Sequence, residues 1–271
     1  MRLAVLLEDQ RQYLTLRRTF HPIHGPGNPP SLEHFHSWCE MLATVDQGEM
    51  DLALVDPSLG SPGNEPRPNL PALDSLAERM ARDRIIHYLK NGAADAGSVQ
   101  DLGRLGYPYL LVQGVDDDPR SLMRILARAE ARMGLKEALD RTGAGRIDED
   151  RVRLLLEAVA GWPPVDKVPI LARRLRLGER TLRRKFREAR LPPPSRCLAW
   201  GRLLETCVHR RRAVGSKSRI AGIVGFCDAA GLAHLASRLT NRPLEEVWSG
   251  KPVEDLLDHL AREVSQGDDV A

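Results

Sequence analysis

Two patterns of apolar and polar positions divide the chain. In the first half, short apolar runs alternate with amphipathic stretches; in the second, amphipathic stretches follow one another without a strand signal. Leu3 to Leu7, Leu52 to Val55 and Tyr109 to Val112 are runs of strand length, and Ile85 to Leu89 gives a fainter signal of the same kind. Between them, Ser31 is placed to cap a helix through about Leu42, and Leu73 to Arg82 can form another. Ser121 to Met133 sets Leu122, Ile125, Leu126 and Ala129 at helical spacing. Ser58 to Pro71, rich in Pro, Gly and Asn, reads as loop. Strands alternating with helices predict an α/β domain built on a parallel sheet.

From Ile147 onward the pattern predicts a second, all-α domain. The boundary falls near Thr142 to Arg146, where Gly143 and Gly145 make a short hinge. The expected organisation is an α/β domain at 1–142, a helical domain at 147–250, and an acidic tail at 251–271. That tail ends in Gln266, Gly267, Asp268 and Asp269 and is expected to fray. A chain of 271 residues suits two cores.

Charge sharpens this division. Residues 1–150 hold 17 basic and 23 acidic side chains, residues 151–251 hold 22 and 8, and residues 252–271 hold 1 and 6. The overall net charge of +3 therefore conceals a strongly basic helical segment. Such an excess is the footprint of a surface that meets phosphates, although a solvated basic face has the same composition. With 42% hydrophobic and 28% charged residues the chain belongs to neither the disordered nor the fibrous classes. Its apolar runs fall far short of the roughly 20 residues of a membrane-spanning helix. Met1 leads into a strand pattern rather than a signal sequence, so a cytoplasmic protein is expected.

Cys39, Cys197, Cys207 and Cys227 lack the paired spacing of zinc sites and read as reduced core thiols. His34 and His36, two apart on an expected helix, would point to different faces rather than converge on one ion. Neither a metal nor a cofactor is expected.

The segment VPILARRLRLGERTLRRKFREARL, Val168 to Leu191, places Ile170, Leu171 and Leu175 on one helix face, then a turn at Leu177 and Gly178. A second helix follows with Leu182 and Phe186 inward and Arg180, Arg183, Arg184 and Arg187 outward. This is helix-turn-helix spacing. An arginine fork can pair with a guanine edge while neighbouring cations hold phosphates. Downstream, Pro192 to Pro194 lead into a long helix capped by Ser195. Ile220 to Phe226, Cys227 and Asp228, and Ala229 to Leu239 then repeat the helix, turn, helix plan and end in TNRPLEEVW.

The two units in this order resemble the C-terminal domain of the AraC/XylS family of transcription regulators. The likeness rests on LARRLRLGERTLRRKFREA and IAGIVGFCDAAGLAHLASRLTNRPLEEV, with Gly225, Phe226 and Pro243 at that family's most recognisable positions. It implies that Arg180, Arg183 and Arg184 reach bases in the major groove. Thr181 joins the contact set, and Lys185 or Arg187 lies nearer the backbone. The second unit departs from the family pattern, because His234, Ala236 and Ser237 stand where the family usually has Arg, Phe and a basic residue. With His234 and Arg238 as its main polar groups, it either contacts only the backbone or serves as packing.

The N-terminal half resembles, less specifically, the receiver domain of two-component response regulators. Glu8 and Asp9 end the first strand and Asp56 ends DLALVD, where receivers hold a magnesium-binding pair and a phosphoacceptor. The same residues also read as polar strand termini above a parallel sheet. Lys90 and Asn91 stand where receivers have a hydroxyl residue, and Gln113 and Gly114 where they have Lys and Pro. A pseudo-receiver, used for dimerisation or for sensing something else, fits these departures better than a phosphorylated one.

The sequence thus leads to a sequence-specific regulator that binds double-stranded DNA. RNA polymerase and a homodimer through the N-terminal domain are its further expected partners. An enzyme is not expected, since the chain has no Gly-rich phosphate loop, nucleophile elbow or zinc-helix motif. The rival reading is a protein-interaction adaptor with a pseudo-receiver and a degenerate DNA-binding domain.

Overall fold

The computed structural model describes residues 2–20, 31–48, 50–61, 67–90, 96–116, 118–142, 149–211, 216–249 and 251–266. They fall into two compact units, Met1–Met123 and Arg124–Ala271. In the first, β1 (Arg2–Leu6), β2 (Ser31–Phe35), β3 (Leu52–Val55), β4 (Ile85–Leu89) and β5 (Tyr109–Val112) form one parallel sheet of order β2-β1-β3-β4-β5. Around it lie α1 (Gln10–Phe20), α2 (Trp38–Val45), α3 (Leu70–Arg79), α4 (Ala96–Arg104) and the beginning of α5 (Pro119–Arg141). The central strands β1, β3 and β4 are apolar almost throughout because helices cover both faces of a parallel sheet. The faint signal at Ile85 to Leu89 is a full inner strand. Its His87 is entirely buried edge-on against Tyr107, with ring centroids 4.3 Å apart, and burial pushes the imidazole down to about 3.

One expected helix is a strand. Ser31 opens β2, and the helix cap lies at Ser37, whose hydroxyl accepts from the Glu40 N–H at 3.3 Å to start α2. β2 is an edge strand, so one side of it is polar and the segment mimics an amphipathic helix. Only Phe35 is buried, Glu33 pairs with Arg2 at 3.5 Å, and pairing with β1 decides the conformation. The strand also brings His34 and His36 to the same side, with centroids 4.3 Å apart, where a helix would have separated them. His34 stacks on Tyr13 at 4.2 Å and its Nε2 lies 3.0 Å from the Leu7 carbonyl. The expected loop ends early, because Asn69 caps α3 and Pro71 sits in its first turn, where a missing N–H costs nothing.

The second unit packs the body of α5, from Arg124 onward, with α6 (Glu149–Ala160), α7 (Val168–Arg174), α8 (Glu179–Glu188) and α9 (Pro194–Arg211). It continues with α10 (Lys217–Ile223), α11 (Ala229–Thr240), α12 (Leu244–Val247) and α13 (Pro252–Gln266). α9 is its central helix. It opens at Pro194 rather than being capped by Ser195, and the Pro193 carbonyl accepts from the N–H groups of Arg196 and Cys197. Within the acidic tail, Pro252–Gln266 form a packed helix rather than a frayed segment. Val253, Leu256, Leu257, Leu260, Ala261 and Val264 are buried along one stripe of α13, and full burial of each leucine is worth about 1.5–3 kcal/mol. Glu263 is tied to α9 through Arg196 at 2.5 Å and Trp200 Nε1 at 3.0 Å. The acidic composition concealed that stripe. Gly267, Asp268, Asp269 and the Gly143 and Gly145 hinge lie outside the described residues.

All four cysteines are free. Cys197 and Cys207 are core thiols, and burial pushes Cys207 up to about 12; Cys39 and Cys227, expected in the core, are exposed. No helix among the described residues is long and apolar enough to cross a membrane.

Candidate nucleic-acid interface

The first helix pair is set by its turn. After α7 the chain passes through Arg176 in the left-handed region, φ 55°, while the Leu177 N–H bonds back to the Ala172 carbonyl at 2.8 Å. α8 then starts beyond Gly178. Leu182 and Phe186 are buried one turn apart, which turns Arg180, Arg183, Arg184 and Arg187 outward and leaves Thr181 and Lys185 half-buried beside them. Arg180, Thr181, Arg183, Arg184 and Arg187 line one half-open depression of about 600 Å³. Arg183 and Arg184 meet Glu179 and Glu188 at 3.8 and 3.6 Å. These exposed i, i+4 pairs are weak, so a phosphate or base edge can displace them.

The second pair repeats that turn. Gly225 occupies the left-handed position at φ 82°, and the Phe226 N–H bonds back to the Ala221 carbonyl at 2.8 Å. Asp228 caps α11 through the Gly231 N–H at 2.8 Å. Counting from the two caps, Leu232 and Ala236 take the places of Leu182 and Phe186. Ala230, Ala233, His234 and Ser237 take those of Arg180, Arg183, Arg184 and Arg187. The architecture is kept while the four arginines are replaced. His234 and Arg238, both exposed, share a face of α11 with Gly231 above a pocket of about 310 Å³ that also involves Asp166, Arg202 and Phe226.

Two supports of these pairs have no motif that would reveal them in the sequence. Arg202 of α9 lays its guanidinium 3.7 Å from the Phe226 ring centroid and donates to the Gly225 carbonyl at 3.0 Å, bracing the second turn. Deeper, the fully buried Glu205 of α9 accepts from Arg124 Nε at 2.5 Å and from Arg128 Nη2 at 2.7 Å, while Arg128 Nη1 reaches the Val159 carbonyl of α6. Burial opposes ionisation of Glu205, but Arg128, then His209 and Arg124, outweigh it and hold the carboxyl well below the usual range. Gly201 permits this approach, since a Cβ there would lie 2.2 Å from the Val159 carbonyl oxygen and 2.8 Å from Arg128 Nη1.

In the N-terminal unit, Asp56 is wholly buried at the end of β3. Its Oδ1 accepts from the Ser58 N–H and hydroxyl at 2.9 and 2.6 Å. Lys90, directly after β4, places Nζ 3.2 Å from Asp56 Oδ2 and 2.5 Å from Glu8 Oε2. Burial works against the ammonium, but Glu8 and Asp56 outweigh it and raise its pKa; the same hydrogen bond to Lys90 lowers that of Glu8. Asp9 does not join them, being exposed and accepting from the Arg11 N–H at 2.7 Å at the start of α1.

Of the predicted contact residues of α8, Arg180, Thr181, Arg183, Arg184 and Arg187 therefore share one face with Lys185 beside it, Glu8 and Asp56 meet through Lys90, and Asp9 stands apart. No family model and no curated protein matches the chain. Among solved structures it is similar to full-length FixJ from B. japonicum, over 88% of this chain and 96% of that one, with 12% sequence identity and a TM-score of 0.34.

Proposed function

We propose that the chain is a sequence-specific transcription regulator of the AraC/XylS type that binds double-stranded DNA mainly through α8. One observation carries this reading. A ten-residue helix behind a tight helix-helix turn buries Leu182 and Phe186 and presents Arg180, Arg183, Arg184 and Arg187 on its open face. A helix of that kind fits the major groove, and its arginines supply both base-edge donors and phosphate partners. In this reading α11 contacts the backbone through Arg238 and His234. The N-terminal unit serves as a receiver-like sensing or dimerisation module, RNA polymerase is the downstream partner, and the protein acts in the cytoplasm as a binding protein rather than an enzyme.

The test is selection of bound duplexes from a random library, followed by a salt titration on the selected site. Selective binding whose affinity falls steeply with salt is expected, because each neutralised phosphate releases counterions. An absence of duplex binding at low salt would overturn the regulator. It would favour the adaptor, a second reading motivated by the alanines that α11 presents where α8 has arginines.

A further inference from the structure

In an open parallel α/β sheet the ligand crevice lies beyond the carboxyl ends of the strands where the chain order reverses. Here that point is between β1 and β3. At this point the chain brings a cation of its own between two carboxylates. Glu8 follows β1, Asp56 follows β3, and Lys90 reaches across from the end of β4 to touch both. Asp56 Oδ1 is saturated by Ser58, whereas the buried Oδ2 has the Lys90 ammonium beside it at 3.2 Å. A buried carboxylate left without a cation is strongly unfavourable, so this contact stabilises the unit as a charged pair.

We propose that Lys90 is the resident cation of this crevice. Its ammonium takes the place that a divalent ion would otherwise fill between Glu8 and Asp56, fixes the N-terminal unit in one state, and closes Asp56 to metal and to phosphoryl donors. The inference does not depend on DNA binding by the second unit.

The test compares the full chain with its Lys90→Met variant, using Mn²⁺ broadening of amide NMR signals and thermal unfolding with and without Mg²⁺. The wild type is expected to show no saturable broadening at Glu8, Asp9 or Asp56 and no shift with Mg²⁺. Lys90→Met is expected to unfold at lower temperature and to regain roughly 5 °C in millimolar Mg²⁺, with broadening confined to those amides. Saturable broadening in the wild type, an unchanged midpoint in Lys90→Met, or a lowered midpoint that Mg²⁺ does not move would each overturn the proposal. If Lys90→Met does not fold, Lys90→Met combined with Asp56→Asn decides. Removing the buried charge should restore folding without metal, and a double variant no better than the single one counts against Lys90 as counter-ion.

Discussion

The two helix pairs of the second unit are the same construction given different surfaces. Each reverses direction through one left-handed residue, Arg176 or Gly225, and each closes the turn by bonding back to an alanine carbonyl, Ala172 or Ala221. Each buries its second helix against α9, through Leu182 and Phe186 in one case and Leu232 and Ala236 in the other. The outward faces share almost nothing, since α8 displays four arginines and α11 has exposed Ala230, His234 and Ser237 and a half-buried Ala233 at the matching positions. Fold and recognition are separable because inward residues answer to packing and outward residues only to a partner. Conserving the turn and the buried stripe keeps the helix in place whatever it shows to solvent.

The largest expected effect probes what the pairs share. Glu205→Ala would leave Arg128 buried without its carboxylate, and breaking such a pair costs about 3–5 kcal/mol. Because α9 supports both pairs, chemical denaturation should show them lost in a single transition. Retention of one pair while the other unfolds would show that they are independent. The folded pKa of Glu205 is depressed, so its stabilisation is complete above the unfolded glutamate value of about 4.3 and is lost as pH falls below it. Midpoints for Glu205→Gln should accordingly fall less steeply than those of wild type as pH drops from about 5 to 3.

A smaller effect separates the two faces. Arg184→Ala is expected to weaken binding to a selected site by about 1–3 kcal/mol and to relax preference at one or two base pairs. His234→Ala, an exposed change, should stay within about 0.5 kcal/mol. Quantitative binding to the site and its single-base variants provides the measurement, and equal losses would erase the asymmetry.

The smallest effect tests the shared turn. Nothing lies within 4 Å of where a Gly225 Cβ would be, so Gly225→Ala would suffer only the backbone cost of a left-handed residue, about 1 kcal/mol. Arg176→Gly should be neutral or stabilising by up to about 1 kcal/mol, since the strain there is already present in the native chain. Urea midpoints moving in the same direction for both substitutions would mean that the turns are not equivalent.

Much of this was legible in the residues. Leu3 to Leu6, Leu52 to Val55 and Tyr109 to Val112 lie in strands, and the α7, turn, α8 plan follows the i, i+4 spacing of Leu182 and Phe186. The failures have particular causes. β2 is an edge strand whose polar side imitates a helix, and the apolar stripe of α13 was hidden behind its acidic residues. The second unit also begins inside α5 at Arg124, because Arg124 and Arg128 are drawn into it by Glu205, an attachment that glycine content and charge density do not signal.

By itself, then, the sequence determined what is local: the period of apolar positions, the turn residues, the concentration of arginine on α8, and the carboxylates at the ends of β1 and β3. The tertiary structure alone decided which distant groups meet. Glu205 lies far along the chain from Arg124 and Arg128, Lys90 is far from Glu8, and Arg202 is remote from the Gly225 turn that it braces. The Glu205 pairing is selected by burial, which makes an unpartnered charge intolerable and ties it to the opposite groups that the packing brings within reach. No pattern of neighbouring residues records that choice.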